Sequence, residues 1–447
     1  MGTRDLTVVF FPEGAFGPTN NCVGIGDVLR RRGARVVFVV EESFAGLLEA
    51  KGSEERLMRL GPAPEHEEIP GQFWKDFMRD TAPVFRKPTF DQLEGFLQPT
   101  WQALIDGSKY VNPRLAEIFD ELRPDVIVED NVVAFPAIWA SGRPWVRIVS
   151  CNPLELEDPA LPPVFSGYPT ADRAGWEEFR AEYRHTHGPM WADFNEFVQE
   201  NGAPALAELE FMHESPYLNL YLYPAEADYE RSVPLAPTWH RLDSCVRATD
   251  APWTLPESLA DMSRGQAPGH VPTGRLGKLI YLSLGSLGSA DVELMQRLVD
   301  ALAKTSHRVI VSKGPQHELL RLGDNMTGEE FLPQTSILPQ VDLVLNHGGN
   351  NTTTECFHFG KPMIVLPLFW DQYDNAQRVH ELGFGVRLPT YEFEPADLTD
   401  AIERLLADGG LRERLAATSG RLQASPGTVK AAGLIKRLAG ERRPVTA

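Results

Sequence analysis

Short apolar runs without polar alternation recur through both halves of this chain, and they constrain its fold more than any other feature. In the first half they are Leu6–Phe11 (LTVVFF), Val36–Val40 (VVFVV), Val126–Val128 and Trp145–Val149 (WVRIV). In the second half they are Leu279–Leu284 (LIYLSL), Val309–Ser312, Val341–Leu345 and Met363–Leu366. A strand that is apolar on both faces is buried on both faces, as in a parallel sheet covered by helices. Helix-like segments separate the runs. Alternation in two blocks predicts an α/β chain with two doubly wound domains.

A length of 447 residues gives each domain room for its own core. Between the blocks, Arg247–Gly277 is rich in Pro and Gly and lacks apolar periodicity, so it reads as a linker. The expected division is a domain over 1–246, a linker over 247–277, a domain over 278–427 and a closing segment over 428–447.

The formal net charge of -19 argues against nucleic acid or an anionic membrane as a partner, since both select a basic face. Cys22, Cys151, Cys245 and Cys356 are scattered, with neither a disulfide framework nor zinc-type spacing, and this fits a reducing, cytoplasmic setting. No run reaches the ~18 apolar residues of a membrane-spanning helix, and the first apolar run is too short for a signal peptide. The nearest approach to a metal cluster, Glu65–Glu68 (EHEE), reads as a solvated loop, so no metal is expected.

Aromatic residues crowd the first half. Phe73, Trp74, Phe77, Phe85 and Phe90 lead one group, and Trp176, Phe179 and Tyr183 share one helix face in another. Two readings stay open: ordinary core packing, or an adaptable apolar pocket for a bulky hydroxylated small molecule.

The stretch His347–Glu355 (HGGNNTTTE) follows the apolar run that ends at Leu345 and opens a helix expected from about Asn351 to Gly360. Gly348 and Gly349 permit a tight turn and close backbone approach. Asn351 or Thr352 can cap the helix. Helix N–H groups and dipole then face an anion, a site suited to a diphosphate, with His347 as a further donor.

Other motifs join it in order: Phe331–Gln334 (FLPQ), Gly285–Ser286 at the end of LIYLSL, and Asp371–Gln372 with Asn375–Ala376. Together they resemble the donor-binding pattern of the UDP-glycosyltransferase superfamily (glycosyltransferase family 1), bacterial natural-product type. One departure is Asn350, where plant members carry Trp. The resemblance implies the GT-B fold: two Rossmann-like domains facing a central cleft, acceptor in the first and nucleotide sugar in the second. It implies that the segment near Thr428–Leu438 returns to the first domain. It also implies residue roles: Phe331 stacks on the base with Gln334 nearby, Glu355 binds the ribose hydroxyls, and Asp371 and Gln372 take the sugar. Ser286, His347, Asn351 and Thr352 would hold the diphosphate, with Gly349 inside that turn. The favoured donor is UDP-glucose, with a dTDP-sugar as rival. The acceptor is a hydrophobic, hydroxylated natural product or antibiotic. The chemistry is an inverting displacement without metal or other cofactor.

In that family a His in the loop after the first strand acts as base. Here the matching position is Pro18, in Gly17–Asn20, and the first His of the chain is His66. The Asp that orients the missing His is matched by Asp130, which is left to act directly or through water. Asn20 and Asn21 are candidates to hold the acceptor hydroxyl or to cap a helix starting near Cys22. The absent His leaves a second reading, a nucleotide-sugar-binding pseudo-enzyme. A third is a nucleotide-sugar epimerase on the same scaffold.

Overall fold

In the computed structural model, which describes residues 6–62, 80–262 and 277–446, thirteen parallel strands form two sheets. The first sheet contains β1 (Thr7–Pro12), β2 (Arg35–Glu41), β3 (Glu54–Met58), β4 (Val126–Asp130), β5 (Trp145–Val149), β6 (Leu218–Tyr221) and β7 (Trp239–Arg241). Their spatial order is β3-β2-β1-β4-β5-β6-β7. The second contains β8 (Leu279–Ser283), β9 (Arg308–Ser312), β10 (Met326–Glu329), β11 (Leu343–Asn346), β12 (Met363–Val365) and β13 (Gly385–Arg387), ordered β10-β9-β8-β11-β12-β13. In both sheets the strand order reverses beside the first strand in sequence. Ligands of doubly wound sheets sit at such a switch point, beyond the carboxyl ends of the strands. The fold class is therefore that expected, two Rossmann-like parallel sheets.

All eight apolar runs are strands. The strands without such a run are mostly edges. β3 (EERLM), β7 (WHR), β10 (MTGE) and β13 (GVR) close the sheets, where one flank needs no apolar cover. The exception is β6, four residues interrupted by Asn219, whose side chain is satisfied by Ser215 and Thr238.

The chain divides into two compact units: the described residues of Met1–Ser166, Thr170–Arg247 and Ser425–Ala447, and those of Gly167–Pro169 and Ala248–Ala424. In the first unit the helix Gly427–Glu441 packs on the helix Phe16–Arg31. Ala431, Ala432, Ile435 and Leu438 are fully buried among the residues of β1, β2, β4 and β6. Two glycines permit the approach. A Cβ on Gly24 would lie 3.0 Å from Thr428, and one on Gly427 would lie 2.2 Å from the Ser244 carbonyl.

Three local expectations are corrected. The helix near Cys22 begins at Phe16, so Asn20 and Asn21 sit inside it and cap nothing; Pro18 lies in its first turn, where its missing N–H has no helical acceptor to lose. The helix after β11 runs Asn350–His358 with Gly349 at its N-cap, so Asn351 and Thr352 are also inside. The first part of the supposed linker belongs to the second unit. There Asp250 accepts from the Thr335 hydroxyl at 2.8 Å and Arg308 donates to the Leu259 carbonyl at 3.1 Å.

Candidate active site

In the second unit, the residues singled out in the sequence lie after β8, β10, β11 and β12. Gly348 adopts φ +89, and a Cβ there would meet the Gln372 carbonyl at 2.7 Å, so only glycine fits. Its N–H donates to Asn346 Oδ1 at 2.7 Å and its carbonyl accepts from Asn375 Nδ2 at 2.9 Å. The turn is thus braced from both neighbouring elements.

The His347 imidazole lies in a slot between two glycine backbones. A Cβ on Gly285 would stand 2.8 Å from its Cε1 and Nε2, and a Cβ on Gly349 would stand 2.7 Å from Nε2. Burial lowers its pKa to about 4, so the ring is neutral near pH 7 and offers one N–H. Nδ1 has no hydrogen-bond partner among the described residues. Ser286 lies in the short helix Gly285–Gly288, and its side chain lies outside the described residues.

Gln334 reaches the helix Asn350–His358. Its amide donates to Thr352 Oγ1 at 3.2 Å and to Glu355 Oε2 at 2.6 Å. Glu355 is buried at 4 % exposure, whereas the Phe331 ring is 59 % exposed and open for stacking. Asp371 and Gln372 are both buried. Asp371 Oδ2 accepts from Asn375 at 3.2 Å, and Gln372 Oε1 accepts from the Leu368 backbone at 3.1 Å. Trp370, immediately before them, holds φ +57, a strained conformation for a bulky residue.

In the first unit, β4 persists through Asp130, and its last two carboxylates point to opposite faces. Glu129 is registered against Arg147 of β5, and Arg147 pairs with Glu155 at 3.3 Å. Asp130 faces the helix Phe16–Arg31. It is 3 % exposed and accepts from Ser150 Oγ at 2.5 Å, while Ser150 accepts from Asn21 Nδ2 at 2.9 Å. Burial raises the Asp130 carboxyl well above its ordinary range. The Ser150 bond opposes that rise, and Glu13 and Glu155 add to it. Asn20 is half-buried beside this group, but the amide that joins it is Asn21. Ser150 escaped the sequence reading. The available signal was its place directly after an apolar run, at the carboxyl end of a parallel strand.

Of the aromatic candidates, Phe73, Trp74 and Phe77 lie outside the described residues, as does Glu65–Glu68. Phe85 is buried and meets Phe96 edge-on at 4.9 Å. Phe90 is half-buried, 6.3 Å from the Phe179 ring. The ring of Phe85 is committed to packing.

Residues 296–435 match the family described as erythromycin biosynthesis protein CIII-like, C-terminal domain. Over 94% of this chain and 94% of the relative, the sequence is 23% identical to an NDP-glycosyltransferase of Bacillus subtilis (strain 168). It is 25% identical to the oleandomycin glycosyltransferase of Streptomyces antibioticus, over 97% of this chain and 91% of that one. Among solved structures, the glycotransferase of kitacinnamycin superposes with a TM-score of 0.68 at 20% identity, covering 97% of this chain and 99% of that chain. The chain thus has the GT-B fold, and along nearly its whole length its sequence is similar to bacterial glycosyltransferases, including one of the antibiotic type.

Proposed function

We propose that this glycosyltransferase moves a hexose from UDP-glucose to a hydroxyl of a hydrophobic natural product or antibiotic, with inversion and without a metal. The second unit would hold the donor and the first the acceptor. The observation that carries the donor reading is the Gln334–Thr352–Glu355 hydrogen-bonded group beside the His347 slot. It offers a buried carboxylate to ribose hydroxyls and a helix N-terminus to phosphates. A ribose 2′-hydroxyl is what separates UDP from dTDP at such a carboxylate.

Asp130 would serve as base. Its raised pKa makes it a stronger proton acceptor once ionised, and the bond between the acceptor oxygen and the anomeric carbon forms as the diphosphate departs. Charge on the leaving diphosphate would be met by His347 and the helix Asn350–His358. A dTDP-sugar donor is the second reading, favoured by two structural neighbours solved with the thymidine nucleotide, VinC with dTDP and a spinosyn rhamnosyltransferase with thymidine diphosphate.

The test incubates the purified protein with UDP-glucose or dTDP-glucose and a pool of phenolic, macrolide and ansamycin-type acceptors, with and without a chelator. The expected result is a hexose-shifted, β-linked product whose yield the chelator leaves unchanged. Asp130→Asn should lower turnover about 100-fold or more. Nucleotide binding without transfer from either donor would instead make the chain a pseudo-transferase. Release of an epimer or free sugar without acceptor would make it an epimerase.

A further inference from the structure

The chain of hydrogen bonds behind Asp130 has an order that a simple carboxylate base does not require. Asn21 donates to Ser150 Oγ at 2.9 Å, and Ser150 donates to Asp130 Oδ2 at 2.5 Å. Asn21 and Asp130 are each 3 % exposed. Ser150, the first residue beyond β5, is the one of the three that keeps partial exposure. A serine hydroxyl has one proton and two lone pairs. The proton is given to Asp130 and one lone pair receives the Asn21 amide. One lone pair is left, on the only member of the chain that is not closed off.

We propose that Ser150 is a catalytic residue of the transfer, its Oγ taking the proton of the acceptor hydroxyl while its own proton passes to Asp130 Oδ2, and that Asn21 is the positioning residue that fixes it. This rests on the reading of Asp130 as the base. The bookkeeping of the step is closed. The acceptor O–H breaks as a new Ser150 O–H forms, and the original Ser150 O–H breaks as Asp130 becomes protonated. The acceptor oxygen bonds to the anomeric carbon, whose bond to the diphosphate oxygen breaks, and that electron pair leaves with the nucleotide. The serine is regenerated, and Asp130 later returns its proton to water.

Geometry explains the division of labour. Burial gives Asp130 a high proton affinity but also closes it off, and one hydroxyl restores its reach. Asn21 reaches Ser150 because it lies inside the helix Phe16–Arg31, which packs against β1, β2 and β4. The charged or titratable groups facing Asp130 are Glu13 after β1, Glu129 in β4, Cys22 on the helix, Cys245 beyond β7, and Glu155 after β5.

The experiment measures single-turnover transfer from UDP-glucose, or from dTDP-glucose if that is the donor used, to one phenolic acceptor found in the pool. Wild type, Ser150→Ala, Ser150→Thr and Asp130→Asn are compared, together with UDP affinity and the pH profile. Ser150→Ala is expected to lose about 100-fold in rate with UDP affinity unchanged, and its acidic limb should move to higher pH, because Asp130 loses the bond that lowers its pKa. Ser150→Thr keeps a hydroxyl and should recover roughly a tenth or more of the wild-type rate. Wild type in mixed light and heavy water should show a bowed rate dependence, from two protons moving together. A Ser150→Ala rate within about threefold of wild type, with Asp130→Asn inactive, overturns the relay and leaves Asp130 as a direct base. An active Asp130→Asn removes the underlying base assignment instead. Should Ser150→Ala fail to fold, the wild-type isotope dependence decides alone, and a straight line refutes the relay.

Discussion

His347 shows how two residues without side chains can define a third. The sequence pattern marks the His as an anion donor, but it does not show that Gly285 and Gly349 form the walls of its slot. Gly349 has φ -57, which alanine tolerates, so only the 2.7 Å clash with Nε2 opposes Gly349→Ala. That substitution should weaken UDP binding by about 10- to 100-fold, the worth of a charge-assisted hydrogen bond, with the melting temperature little changed; calorimetric titration checks it. A second histidine governs stability. His187 is fully buried, its Nδ1 is 2.7 Å from the Thr186 hydroxyl, and burial lowers its pKa to about 4. Between the unfolded value near 6.5 and about 4, the unfolded chain binds a proton there that the native state refuses. His187 therefore contributes stability that is present above that range and is lost as pH falls through it. Denaturant unfolding of His187→Phe should show a shallower loss between pH 6.5 and 4 than wild type.

At the scale of elements, what was legible followed from burial. Interior strands are covered on both faces and mostly apolar, and eight of the nine announced themselves, β6 with its Asn219 being the exception. Edge strands are released from that demand, so β3, β7, β10 and β13 carry no such run. Helix starts were harder to read. Asn20, Asn21, Asn351 and Thr352 look like caps, yet each lies inside its helix. Tertiary bonds account for two of them, since Asn21 is held by Ser150 and Thr352 by Gln334. The helix Gly427–Glu441 offers a matched pair of tests. A Cβ on Gly427 would meet backbone carbonyls at 2.2 and 2.4 Å, while nothing lies within 4 Å of one on Gly433. Gly427→Ala should destabilise the protein by about 1–3 kcal/mol, and Gly433→Ala should stabilise it by about 0.5–1 kcal/mol. Thermal unfolding of the two variants gives the signs directly.

For the whole molecule, the proposed division of labour predicts where ligands leave a footprint. Bound UDP should slow amide exchange in the turns after β8 and β11 and in the helix Asn350–His358, leaving β4 and β5 unchanged. Exchange measured by mass spectrometry reads both regions at once. By itself the sequence determined the two α/β blocks, the motifs that resemble a donor site and the absence of the imidazole that resemblance leads one to expect, because each is written in contiguous residues: apolar runs, a glycine turn, a proline where a His is expected. Tertiary structure alone decided which groups meet. Asn21, Asp130 and Ser150 come from a helix, a strand and the turn after another strand, more than a hundred residues apart at the extremes, and no local pattern links them. Burial then does what composition cannot, closing off a carboxylate while leaving a neighbouring hydroxyl within reach.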